Sequence, residues 1–103
     1  MAGGDKAEWP KNAPKQVPEW KEEISAVVSM GDSNFSVTSE DIKEKDVESY
    51  LKELKKAGYD EMMKMEANGV SSYSYVKDEK YSVQVSYGTE DKALVITVVV
   101  SED

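Results

Sequence analysis

The sequence predicts an α+β fold, an antiparallel sheet with one helix packed on one face, in the order ββαββββ. Three observations carry that prediction. Apolar residues recur at every second position in several short runs, the period of a half-buried strand. A single stretch, Val47 to Ala57, switches to the helical period. Turn-forming residues separate the runs, as expected for hairpins.

Taken in order, Ile24, Ala26, Val28 and Met30 share one face of a first strand. Gly31-Asp32-Ser33-Asn34 is a turn cluster, and Phe35 and Val37 follow. A four-residue loop would set Met30 opposite Phe35 and Val28 opposite Val37, so loop length and register agree. Val47, Tyr50, Leu51, Leu54 and Ala57 then form one apolar helical stripe. Gly58 stands where a left-handed C-terminal residue belongs, with Lys52, Lys55 and Lys56 toward the negative end of the macrodipole. Glu44, Asp46 and Glu48 gather at its start, and with Lys43 as N-cap, Ile42 and Val47 occupy the hydrophobic-staple positions.

Four more strands follow. Met63 and Met65 alternate, as do Tyr73 and Tyr75, around Asn68-Gly69. A two-residue turn there would split methionines and tyrosines between faces. The expectation is therefore a bulge, or a three- or five-residue connection, that sets Met65 opposite Tyr73 and Met63 opposite Tyr75. The chain turns again at Lys77–Lys80, into Tyr81, Val83, Val85 and Tyr87. A loop of Thr89 to Lys92 pairs Tyr87 with Leu94, Val85 with Ile96 and Val83 with Val98.

The last strand is also apolar on its other side, at Val95 and Val99. Such a strand is usually central and covered twice, yet one helix covers one face. Residues 1 to 20 hold all three prolines, which oppose helix and interior strand, and also both tryptophans. This divides the chain into an extended segment, 1–20, and a single α+β domain, 21–103. The segment is either a solvated tail or a strap. As a strap, Trp9 and Trp20 would cover Val95 and Val99; otherwise that second face awaits a partner. These four residues are the candidate contact surface.

Composition narrows the chemistry. The chain has 103 residues, enough for one core. Its net charge is −8, and every basic residue is lysine. Nucleic-acid binding calls for a concentrated positive patch and exploits arginine's planar fork, so nucleic acid is not an expected partner. With neither cysteine nor histidine there is no thiol nucleophile, disulfide, zinc or iron–sulfur ligand set, nor the commonest base near neutral pH. The longest apolar stretch, Ala93 to Val100, is far below the roughly 20 residues of a spanning helix. Met1-Ala2-Gly3-Gly4 lacks the features of a signal peptide and reads as a start appended to a trimmed mature chain.

Trp9-Pro10, then Phe35-Ser36-Val37-Thr38, the run Val47 to Tyr59 ending in Ala-Gly-Tyr, and the Tyr-rich segments Tyr73-Ser74-Tyr75 and Tyr81 to Tyr87 form a recognisable succession. It resembles a group of uncharacterised small domains in exported lipoproteins of Gram-positive gut bacteria. The resemblance covers most of the chain and rests on structural punctuation. It implies an extracytoplasmic, lipid-anchored setting, with the lipid-bearing cysteine absent here, and no catalytic residue to carry over.

The remaining constellations have ordinary readings. Glu40-Asp41, Asp78-Glu79 and Glu90-Asp91 are acid pairs without the spacing of a calcium loop. Tyr73, Tyr75, Tyr81 and Tyr87 fall on the core side, where the alternation already explains them. Met63 and Met65 read as gap-fillers under the helix, with Met62 on the other face. No phosphate loop is present, and no Ser–Lys pair is singled out by spacing. The expected function is a non-enzymatic extracytoplasmic binding or structural module, with no metal or other cofactor. Its partner would be a protein or cell-envelope component, with membrane contact only through the anchor, and the chain is expected to be monomeric. The alternative is a small acidic interaction or inhibitor domain acting on a basic partner; an enzyme comes third.

Overall fold

A computed structural model describes residues 8–10, 13–29 and 34–101. Six strands, β1 (Ala26–Ser29), β2 (Phe35–Ser39), β3 (Asp60–Ala67), β4 (Val70–Lys77), β5 (Tyr81–Gly88) and β6 (Leu94–Val100), and one helix, α1 (Glu44–Lys56), run in the order ββαββββ. The strands form one antiparallel sheet, ordered β1-β2-β6-β5-β4-β3. The doubly apolar β6 lies inside it, between β2 and β5. The β5–β6 register is the expected one: Tyr87 faces Leu94, Val85 faces Ile96 and Val83 faces Val98.

The helix begins at Lys43, which supplies no side-chain cap; its carbonyl instead accepts the Asp46 and Val47 N–H groups. Ile42 and Val47, the staple pair, are both buried. Gly58, at φ +98°, ends the helix. Gly58 N–H donates to the Lys55 carbonyl and Tyr59 N–H to the Leu54 carbonyl, the paired bonds of a Schellman motif. That motif turns the buried Tyr59 back beside Leu54 and launches β3. The helix stripe packs on the face carrying Phe35, Val37, Val83, Val85, Leu94, Ile96 and Val98, which together form the core.

Two hairpins depart from expectation. In the first, Val27 faces Val37 and Val28 faces Ser36, one residue off the expected register. Ser25 N–H donates to the Thr38 carbonyl while Ala26 is the register partner of Thr38. The extra residue turns the buried Ile24 onto the same face as Val27 and sends Val28 outward. Met30 and Gly31-Asp32-Ser33 lie outside the described residues. In the second, Asn68 and Gly69 do form a two-residue turn, both with positive φ (53° and 79°), so Ala67 pairs with Val70. Met65 therefore faces Ser72 and Met63 faces Ser74. A bulge is present, at Met62, but it precedes Met63 and leaves both methionines on the face set by the turn. They lie away from the helix and are not core fillers.

Residues 13–20 are a strap. Val17 and Trp20 are buried members of the core cluster, and Trp9 and Ala13 pack against it. Trp20 stands edge-on to Tyr50, centroids 5.5 Å apart, and Trp9 edge-on to Phe35 at 5.2 Å. Phe35 faces Val98 and Ser39 faces Leu94 on the core side. The strap thus closes the end of the helix side. It does not cover Val95 and Val99, as the strap expectation had it, because tyrosine hydroxyls on the helix side anchor its backbone. Tyr50 donates to the Pro18 carbonyl (2.8 Å) and Tyr59 to the Gln16 carbonyl (3.1 Å).

Candidate functional site

With helix and strap on one side, the other face of the sheet has no cover among the described residues. Strand pairing arranges it in rows. One row runs Val28, Ser36, Thr97, Gln84, Ser74, Met63 across all six strands. The next runs Ala26, Thr38, Val95, Ser86, Ser72, Met65. Neither row contains a charged side chain, although 33% of the chain is charged. Val99, Ser82, Val76 and Asp60 make a partial third row, whose corner carries the face's charge. The Ser36 and Thr97 hydroxyls stand 3.4 Å apart across the β2–β6 pair.

The large apolar residues that water reaches are concentrated here. Val28 (57% exposed), Met63 (49%), Met65 (50%) and Val99 (38%) all belong to this face, with Val70 beside Ala67. Met62 is the bulged residue next to them. The result is a surface with a hydroxyl-rich middle, apolar flanks on β1 and β3, and almost no charge.

Of the four candidate contact residues, Val95 and Val99 lie on this face and Trp9 and Trp20 on the opposite side. Sequence reasoning missed Val28, Met63 and Met65. For the two methionines the signal was present, since the Asn68-Gly69 turn taken at face value places both here.

On the helix side, a groove of about 360 Å³ separates strap from helix. Trp20 and Tyr50 line it together with Glu19, Glu22, Asp46 and Glu53, against one lysine, Lys21. Burial pushes the Tyr50 hydroxyl well above its ordinary pKa, and the nearby Tyr59 adds to that. Tyr59 itself is pushed up to about 12, mainly by burial, with Tyr81 and Asp78 reinforcing it. Both hydroxyls are thus held protonated as donors to the strap carbonyls. The acid pairs Glu40-Asp41, Asp78-Glu79 and Glu90-Asp91 are exposed. No group of acidic side chains among the described residues converges to hold a metal ion.

No protein-family model, curated protein or solved structure matches the chain. No described helix is long and apolar enough to cross a membrane.

Proposed function

We propose that this chain is a non-enzymatic binding module whose contact surface is the uncharged face of its sheet. The observation that carries the reading is the segregation of side chains. Lysines and carboxylates occupy the helix, strap and turns, the helix side of β3 and β4 (Glu61, Lys64, Glu66, Lys77) and one corner of the open face (Asp60), while two complete cross-strand rows exclude them. A merely solvated face of a charge-rich chain has no reason to exclude charge. A face that must be desolvated has a strong one, because burying an unpaired charge is costly. Hydroxyls can be buried when partnered, and the apolar flanks contribute the favourable term.

The resemblance to exported lipoprotein domains supports an envelope setting for that contact, outside the cytoplasm. The test is comparative capture from an envelope extract by wild type and by Thr97→Lys or Gln84→Lys. A partner held by wild type and lost by both face variants supports the reading. A partner held equally by all three contradicts it.

The acidic groove between strap and helix favours a second reading, a site for a basic side chain of a partner. Its signature is a partner released by moderate salt and lost on Glu53→Gln, with no response to the face variants.

A further inference from the structure

We infer that the uncharged face takes a second copy of this chain, so that two sheets pack face to face in a two-fold dimer. The inference rests on the reading of this face as the contact surface and names its occupant. Three observations point to a copy rather than to an unrelated partner.

The first is charge. At net −8, two copies repel one another in nearly every orientation. Packing through this face is the exception, because its two complete rows bring no like charges into contact. The helix is balanced, four carboxylates against four lysines, so the excess negative charge sits on turns and sheet ends around the contact. Charges at that rim are screened over a Debye length of ~8 Å at physiological salt.

The second is chemistry. A hydroxyl both donates and accepts, so a Ser/Thr row is complementary to a copy of itself. Ser36 and Thr97 already pair this way within the sheet. A hydrocarbon surface would leave these hydroxyls unsatisfied, and a charged peptide would find no counter-charge on the rows. Across a two-fold axis each row meets an equivalent one, as an isologous interface requires.

The third is size. Six strands at ~4.8 Å spacing, most of them about 24 Å long, present on the order of 600 Å². That approaches the ~800 Å² per partner of a standard stable interface. The inference departs from the expectation of a monomer.

The experiment is molecular mass by sedimentation equilibrium from about 1 µM to 1 mM, at low and physiological salt. Wild type should pass from monomer to dimer in this range, and salt should favour the dimer by screening the rim charges. Thr97→Lys and Ser86→Lys, each checked for native circular dichroism, should weaken association at least tenfold. A wild type that stays monomeric at 1 mM overturns the inference without any variant, and leaves the contact-face reading to its capture test. A dimer that both lysine variants retain overturns the placement on this face.

Discussion

The indole N–H of Trp20 donates a 2.9 Å hydrogen bond to the hydroxyl of Ser39, joining the proline-rich strap to the end of β2. Both residues are buried, and Ser39 is among the few buried polar side chains. With the Tyr50 and Tyr59 hydroxyl bonds, this bond holds the strap on the helix side of the sheet and leaves the other side open. Ser39→Ala would leave the indole donor unsatisfied at a cost of about 1–3 kcal/mol. Trp20→Ala removes the ring as well and should cost ~3–5 kcal/mol. Urea denaturation of both variants and the double variant measures the coupling; additive losses would mean the bond contributes nothing.

The helix stripe separates into unequal positions. Leu54 is fully buried at 0% exposure, whereas Leu51 retains 9% at the edge of the sheet. Leu54→Ala is expected to cost about 3–5 kcal/mol and Leu51→Ala distinctly less, nearer 2. Equal losses in denaturant titrations would show that the helix is rolled about its axis relative to this packing.

Alkaline pH should release the strap. Tyr50 and Tyr59 have raised pKa values in the folded chain, caused first by burial, against an ordinary value of 10.0. A raised folded pKa means that the protonated form is favoured by folding. The associated stability is complete below pH 10 and is lost as pH rises from there through about 12, where Tyr59 ionises. Phenolate absorbance should therefore appear in step with unfolding above pH 10. Ordinary titration of both hydroxyls near pH 10, with the fold intact, would contradict their role as strap donors.

The β3–β4 turn sets the face on which Met63 and Met65 appear. Gly69, at φ +79°, occupies a conformation that a side chain strains. Gly69→Ala should destabilise the chain by about 1 kcal/mol, read as a lower denaturation midpoint with unchanged slope. A neutral result would indicate a longer connection and the alternative register.

Much of this architecture was legible because neighbouring signals agreed. Between β5 and β6, unbroken alternation and a four-residue loop admit one register, and the structure has it. The helix was legible from its stripe and from Gly58. Elsewhere hydrophobicity misled. Reading Met63 and Met65 as core placed more weight on burial than on Asn68-Gly69, yet β3 is an edge strand beyond the helix, exposed along its whole length. The offset at Ser25 and Ala26 carries no local signature and shifts Val28 from core to surface. Which face the strap takes depends on hydrogen bonds from Tyr50 and Tyr59 to carbonyls far away in sequence, and residue patterns do not encode these. The open face became visible only when strand order stacked Ser36, Thr97, Gln84 and Ser74 into one row.

The central claim is that binding happens on that row and its neighbours, and methionine oxidation tests it most directly. Met63 and Met65 are half-exposed flanks of the face, so dilute peroxide should convert both readily in the free chain. Saturation with the bound partner, a second copy included, should slow oxidation of both by several-fold. Demonstrable binding with Met63 and Met65 oxidising at the free rate would place the contact elsewhere and contradict the account.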